Sequence, residues 1–339
     1  MNTRERFLSV LSFETPDDRL PMIEWAHWWD KTHHRWQKEG LPTHLSGEDL
    51  FDYFGLDRLE CIFIQGISNT CPKPTYHGAP IIKDEASYEA IKHHLFTESL
   101  IKKAVNNAKL LKRRHLCGEI AVRLWLDGFF WFPRSLFGIE DHLYAFYDYP
   151  ELMHRINNDL ATFNLRAMDA LFEILIPDMV GIAEDMSYNH GPMLSADMFD
   201  EFVAPYYAKL MPLFKNLGVK VLVDTDGDVT EMIPWLIKSG VDGIYPLERQ
   251  AGVDIAEIRK NYPKLIMMGA YDKMVMLKGE AAIRAEFERL YPVMETGGFI
   301  PSVDHQTPPE VSLENYLTYR RLYEEYCIKT CVIGRADQR

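Results

Sequence analysis

The 339-residue sequence lacks long apolar runs, a surplus of positive charge and paired cysteines. No segment approaches the roughly 20 uninterrupted apolar residues of a membrane-spanning helix, so we expect no membrane span. A formal net charge of −13 argues against nucleic-acid binding, because affinity for phosphate backbones comes from Lys and Arg. The five cysteines form an odd set without a C-x-x-C pair, and the N-terminus has no signal-peptide pattern. Both features favour a reduced, cytoplasmic compartment.

Low-complexity tracts and Gly/Ser-rich linkers are also absent, so we predict a single domain over residues 1–339. The chain is 47% hydrophobic and 26% charged, as in soluble globular proteins that bury a large core. This length suits one α/β barrel, which usually takes about 250 residues or more. Aromatic residues make up 12% of the chain, which suits both core packing and a large apolar pocket.

Eight short apolar segments alternate with helical patterns along the chain. Several are continuous apolar runs, which are typical of parallel strands covered on both faces. We therefore predict an α/β fold, a single (β/α)8 TIM barrel with an N-terminal helix. Residues 67–118 are predicted to form an insertion after strand two, and residues 327–339 a C-terminal tail. The predicted strands cover residues 20–26, 59–66, 119–126, 178–185, 219–226, 241–248, 264–272 and 297–304.

Acidic residues follow nearly every predicted strand. Active sites of such barrels lie at the carboxyl ends of the strands, so these side chains are the first candidates for chemistry. Capping of the following helix is the structural alternative at each single position. The candidates are Glu24, His27, Gln65, Asp127, Glu184, Asp185, Asp224, Asp226, Glu248, Asp272, Asp304 and His305.

The segment VLVDTDGDV, residues 221–229, places Asp224 and Asp226 two positions apart, so on an extended strand both face the same way. Two adjacent carboxylates repel unless a cation or a shared proton compensates. This leaves a transition-metal site, a proton-sharing pair, or one functional Asp beside a capping one. His305, at the end of strand eight, can complete a metal site or act as a general acid oriented by Asp304. A buried structural histidine is the remaining interpretation.

The segment EWAHWWDKTHHRW, residues 24–36, carries three histidines and four tryptophans. Its Trp25, His27 and Trp28 are predicted to hold a flat substrate, with a hydrophobic cover over the barrel mouth as the alternative. Arg134 follows strand three and either clamps a substrate carboxylate or pairs with a neighbouring acid. Tyr188, after strand four, completes the predicted substrate-binding set.

Several motifs together resemble the uroporphyrinogen decarboxylase superfamily over nearly the whole chain. They include RERFLSVLSFETPDDRLPM near the start, LSADMFDEFVAPYYAKL, GVDGIYPLE and the closing HQTPPEVSLEN. Members of this superfamily are (β/α)8 barrels, among them the heme-pathway decarboxylase and zinc-dependent methyltransferases that serve corrinoid proteins. The closing segment is fairly specific, and it places His305 on the family's histidine.

Two departures separate this chain from the heme-pathway decarboxylase. The arginine-rich loop after strand one is replaced by IEWAHWWDK, and the family's aspartate after strand two has no counterpart near CIFIQG. The methyltransferase branch implies metal ligands in a His-x-Cys pair after strand five and a cysteine after strand eight. Asp224-x-Asp226 and His305 match those positions here. Glu184 or Glu248 supplies a fourth ligand, for zinc or another divalent metal.

The resemblance therefore implies a metal-dependent methyltransferase that moves a methyl group between a small, methoxylated aromatic substrate and a corrinoid protein. Asp224, Asp226 and His305 hold the metal in this hypothesis, and His305, Asp226 and Asp304 are the catalytic residues. A metal-free carboxy-lyase on a smaller substrate is the alternative, with His305 protonating a carbanion. A barrel that binds a ligand without turnover is the third hypothesis. A homodimer is also expected, although no sequence motif indicates it.

Overall fold

Seven parallel strands form the main sheet of the computed structural model, which describes residues 1–336. The sheet is curled, and each strand pairs in parallel with the next along the chain. A separate antiparallel pair, β4 (Ser187–Tyr188) and β5 (Gly191–Pro192), lies in the loop after β3. The main strands are β1 (Leu59–Ile64), β2 (Ala121–Asp127), β3 (Met179–Ala183), β6 (Lys220–Asp224), β7 (Gly243–Tyr245), β8 (Ile266–Tyr271) and β9 (Phe299–Val303).

Burial on both faces explains why several of these strands are apolar along most of their length. Every residue of β3, β7, β8 and β9 is buried. Side chains of alternate residues point to opposite faces of a strand, so one set packs inside the curled sheet and the other against the helices. The predicted α/β class and the barrel-like arrangement are therefore confirmed.

The first predicted strand, residues 20–26, is wrong. This segment is extended and lies against both edges of the sheet, but it joins no strand ladder. Its backbone groups bond to other partners instead: Ile23 donates to the Tyr323 hydroxyl and accepts from the Ser302 hydroxyl. The Met22 amide donates to the Asp57 carboxylate, and the Met22 carbonyl accepts from the Asp57 amide. Side chains from distant parts of the chain, together with single backbone groups of Asp57 and Cys327, thus take the place of a neighbouring strand.

Helices follow most of the strands and cover the sheet. The N-terminal helix α1 is present as predicted. None of the helices within residues 1–336 is long and apolar enough to cross a membrane. The α-helices are α1 (Thr3–Leu11), α2 (Asp30–Lys38), α3 (Glu48–Phe54), α4 (Glu85–Ile91), α5 (Glu98–Leu116), α6 (Trp131–Phe137), α7 (Asp141–Asp148), α8 (Pro150–Phe172), α9 (Ala196–Phe202), α10 (Ala204–Leu217), α11 (Ile233–Lys238), α12 (Ile255–Asn261), α13 (Glu280–Met294) and α14 (Leu313–Ala336). Short 3-10 turns cover Lys92–His94, Thr230–Met232, Arg249–Ala251 and Lys273–Lys278.

Two predicted boundaries can be compared with these elements. Within residues 67–118, α5 packs against β1 and α8 and is the crossover helix between β1 and β2. The residues that exceed a simple crossover lie before α5, and they include α4. Of the predicted tail, residues 327–336 continue α14, and residues 337–339 lie outside the described part of the chain.

The register of the sheet brings the carboxyl ends of neighbouring strands to one level. Asp127 at the end of β2 pairs with Ala183 of β3, and Ala183 pairs with Asp224 of β6. Asp224 in turn pairs with Tyr245 of β7. Polar residues that follow these strands therefore converge on one end of the sheet.

Candidate active site

A cavity of about 330 Å³ lies at the carboxyl ends of the strands. Aromatic side chains form much of its wall, and four carboxyl groups and an imidazole face it. None of the described residues that line it is an arginine or a lysine. The lining residues are Trp25, Phe63, Gln65, Trp125, Asp127, Trp131, Ala183, Asp185, Asp224, Asp226 and His305.

Asp224 and Asp226 share this cavity, as their spacing predicts. Burial, followed by the nearby charge of Asp226, raises the pKa of Asp224 well above its usual range. Burial, followed by the charge of Glu248, raises the pKa of Asp226 to about 7. Removing a carboxylate from water disfavours its charged form, and a second carboxylate adds to that effect. Both groups can therefore hold protons near neutral pH.

His305 lies beside Asp226, with 3.8 Å between its Nε2 and the Oδ2 of the carboxyl group. Its ring meets the Trp25 ring edge to face, with centroids 5.9 Å apart. Trp25 is itself held by a 2.8 Å hydrogen bond from its indole N–H to the carbonyl of Val303. Burial, followed by the charge of Lys273, lowers the pKa of His305. The pair of acid and imidazole is suited to moving a proton within the cavity.

Asp304 is fully buried, but its partners differ from the predicted one. Its carboxylate accepts hydrogen bonds from the Lys273 ammonium group at 3.0 Å and from the backbone amides of Lys273 and Arg249. Burial raises its pKa to about 6, although Lys273 opposes this shift. Asp304 therefore fixes the loops after β7 and β8, and no hydrogen bond joins it to the His305 ring among the described contacts.

Glu184 is not among the residues that line the cavity. Its two carboxylate oxygens accept from the backbone amides of residues 129–131, just before and at the start of α6, and from the Tyr207 hydroxyl. A Cβ at Gly128 would lie 2.3 Å from this carboxylate, so the glycine leaves room for it. Burial raises the pKa of Glu184 to about 6, and the backbone hydrogen bonds oppose that shift. This is the capping alternative that the sequence left open.

Comparisons with known proteins identify the family. A sequence model described as uroporphyrinogen decarboxylase (URO-D) matches residues 78–326. The chain belongs to the uroporphyrinogen decarboxylase family. The predicted resemblance is therefore confirmed.

Two proteins that are similar to this chain are described as methyltransferases. Methylcobamide:CoM methyltransferase MtbA from Methanosarcina acetivorans is 21% identical over 206 residues, which cover 58% of this chain and 56% of that protein. The chain thus spans little more than half the length of this relative. A solved structure described as a methyltransferase from Methanosarcina mazei is similar with a TM-score of 0.62 and 14% identity. That match covers 96% of this chain and 99% of the other, and it confirms the fold alone.

The zinc implied by the methyltransferase branch fits the side chains poorly. Within residues 1–336, no group of three or more His, Cys, Asp and Glu side chains could hold a metal ion. Asp226 and His305 come close to each other, but Glu184 is occupied by its hydrogen-bond donors. Glu248 accepts from the Gly227 amide and lies 4.0 Å from the Lys273 ammonium group. A zinc site needs about four converging donors, and this arrangement does not provide them.

Of the predicted substrate-binding residues, Trp25 lines the cavity and the others lie elsewhere. Trp28 is buried among aromatic side chains that include Trp36 and Tyr316. His27 packs edge to face against Phe51 and lines a neighbouring cavity. Side-chain direction in a loop depends on tertiary packing, which spacing does not reveal.

Arg134 and Tyr188 also lie outside the predicted contacts. The Arg134 guanidinium pairs with the Asp185 carboxylate at 2.7 Å, which is the structural alternative for this residue. Tyr188 is 48% exposed, and its carbonyl accepts from the Asp228 amide in the loop after β6. It therefore belongs to the rim of the site.

Trp125 and Trp131 are cavity residues that the sequence interpretation missed. Trp125 lies two positions before Asp127 on β2, so both side chains point to the same face. Asp127 accepts from the Gly66 amide at 2.8 Å, and burial raises its pKa to about 6. The alternation of side-chain direction along β2 could have shown that Trp125 shares a face with Asp127.

Proposed function

We propose that the chain is a methyltransferase that takes the methyl group from a small, uncharged methoxylated aromatic compound and passes it to a corrinoid protein. One observation carries this proposal. The close pair of Asp226 and His305 lies in a cavity that is also lined by four aromatic side chains and three further carboxyl groups. Flat apolar rings stack well against such walls, and the pair is placed to act on a polar substituent.

The chain's own residues have two tasks in this reaction. Trp25, Trp125 and Trp131 hold the aromatic ring and exclude water from the ether. Cleavage of the methyl–oxygen bond leaves a phenolate, and the pair of Asp226 and His305 delivers a proton to that oxygen. A positioned general acid of this kind contributes roughly 10²- to 10⁴-fold to the rate.

A corrinoid on the partner protein would accept the methyl group as a nucleophile. Phe63, which lines the cavity, is 44% exposed. Its ring gives the cavity an apolar edge toward solvent, which is suited to a flat macrocycle. Zinc has no part in the proposed steps, because the side chains do not provide a set of donors for it.

A carboxy-lyase is the second candidate within the same family. Such an enzyme needs a cation for the substrate carboxylate. Arg134 is already paired with Asp185, and the lining of the cavity contains neither arginine nor lysine among the described residues. These features favour methyl transfer over decarboxylation.

The proposal is tested by incubating the purified chain anaerobically with methoxybenzene and reduced cobalamin. We expect release of phenol, measured by chromatography, together with the visible spectrum of methylcobalamin. His305→Gln should slow the reaction, and Asp228→Asn, a matched acid outside the cavity lining, should not. Release of carbon dioxide from hydroxybenzoate without methyl transfer would support the lyase. Binding without either product would support a barrel that only retains its ligand.

A further inference from the structure

A second cavity, of about 380 Å³, adjoins the active-site cavity. The two cavities share three lining residues, which are Gln65, Asp127 and Trp131. Gln65 follows β1, Asp127 ends β2 and Trp131 begins α6. None of the three is buried, so solvent reaches each of them where the two spaces meet. No step of the proposed methyl transfer uses the second cavity.

The outer wall of this cavity comes from the loop that follows β1. Residues 67–69 and 71–74 line it, and Ile81 lines it further along the same loop. These residues belong to the part of the chain before α5 that exceeds a simple crossover between parallel strands. The additional residues therefore enlarge the space beside the active site.

Hydrogen bonds hold this loop at both ends. The Ser68 amide donates to the His94 carbonyl at 3.0 Å. The amides of Ile81 and Ile82 donate to the Leu136 carbonyl at 2.7 and 3.0 Å, which ties the loop to α6. A wall that is fixed in this way loses little conformational freedom when a ligand binds against it.

The lining of the second cavity is mixed in polarity. One lysine and one aspartate bring opposite charges to it, while hydroxyl and amide groups supply both donors and acceptors. A carboxylate is disfavoured here, because four carboxyl groups line the adjoining active-site cavity and like charges repel. A neutral group that both donates and accepts suits this lining better. The polar lining residues are Gln65, Ser68, Asn69, Lys73, Asp127 and Ser135.

We propose that the second cavity binds a hydroxylated side chain of the methoxylated aromatic substrate. The ring lies in the active-site cavity, and the chain extends past Trp131 toward Ser68 and Asn69. The volume admits a chain of several heavy atoms. This inference rests on the proposed function and narrows its substrate to a neutral compound with a short chain that ends in a hydroxyl group.

Binding to the full-length chain without cobalamin tests this site. Tryptophan fluorescence measures the Kd of methoxybenzene and of three derivatives that carry a chain opposite the methoxy group. These are 3-(4-methoxyphenyl)propan-1-ol, the corresponding propanoate, and 1-butyl-4-methoxybenzene, in which a methyl group replaces the hydroxyl. We expect the alcohol to bind about tenfold or more tightly than methoxybenzene, and more tightly than the propanoate and the butyl compound.

A variant that fills only the second cavity locates the chain. Ser135 lines this cavity and not the first, so Ser135→Leu should remove the advantage of the alcohol and leave the Kd of methoxybenzene unchanged. Ser99→Leu is the matched control, because Ser99 is exposed on α5 and lines neither cavity. If Ser135→Leu does not fold, Asn69→Trp fills the same cavity from its exposed outer wall.

Three results would overturn the proposal. They are an equal Kd for the alcohol and methoxybenzene, an advantage of the alcohol that survives the cavity-filling variants, and tighter binding of the propanoate or the butyl compound than of the alcohol. The proposed function fails separately. Absence of methyl transfer with the expected Kd values would count against the methyltransferase alone, and methyl transfer without them would count against the second cavity alone.

Discussion

Replacing Glu24 by Gln is expected to stabilise the protein at neutral and higher pH. The carboxyl group is 4% exposed, and its charged form has neither a cation nor a full set of donors around it. Burial therefore raises its pKa to about 8. Gln keeps the size of the side chain and an oxygen for the Tyr316 hydroxyl, but it carries no titratable proton.

The magnitude follows from the difference in pKa between the folded and unfolded states. Below about pH 4.5 both states hold the proton, and Glu24 has no pH-dependent effect on stability. Above that pH the unfolded chain ionises and the folded chain does not, so each pH unit removes about 1.4 kcal/mol of stability. At pH 7 the loss is about 3 kcal/mol, and it stops growing once the pH exceeds the folded pKa of about 8.

Urea unfolding followed by circular dichroism at pH 4.5 and pH 7 measures this effect. The other buried acids titrate in both proteins, so the difference between Glu24→Gln and the wild type isolates Glu24. We expect that difference to shift by about 3 kcal/mol in favour of the variant between the two pH values. A difference that stays constant with pH would refute the assignment of Glu24 as a protonated buried acid.

Three further predictions concern the active-site cavity and the loop before α6. Because the pKa of Asp226 is about 7, the rate of methyl transfer should fall as the pH rises above 7, and a flat profile from pH 6 to 9 would contradict its role. Gly128→Ala places a Cβ 2.3 Å from the Ala183 carbonyl and the Glu184 carboxylate. Calorimetry should therefore show that the free energy of unfolding falls by about 2 kcal/mol or more. An unchanged melting temperature would count against this packing. Trp125→Ala should raise the KM for methoxybenzene about tenfold, equivalent to about 1.4 kcal/mol of lost binding; an unchanged KM would remove Trp125 from the substrate site.

The fold could be predicted where burial alone determines the sequence pattern. β8 and β9 are buried on both faces, and their continuous apolar runs indicate this directly. The segment 20–26 has a similar apolar pattern, but its hydrogen-bond partners are the side chains of Tyr323, Ser302 and Asp57 and single backbone groups of Asp57 and Cys327. Those partners lie far away in sequence, so the pattern could not distinguish this segment from a strand.

For the candidate site, too, the sequence predicts some features and not others. The rule that strand ends meet at one level predicted that Asp224, Asp226 and His305 share a cavity, which they do. Their chemical roles stay predictions. The rule gives no information on how loop side chains pair, so the contacts of Arg134 with Asp185 and of Asp304 with Lys273 emerged only from the fold.

Transfer of a ¹³C-labelled methyl group from methoxybenzene to reduced cobalamin, followed by NMR in a single turnover, tests the central claim most directly. If the pair of Asp226 and His305 donates the proton to the leaving oxygen, Asp226→Asn should slow the transfer about 100-fold or more, while Asp228→Asn leaves it unchanged. Equal rates in the wild type and Asp226→Asn, or no transfer of the label by the wild type, would contradict the account.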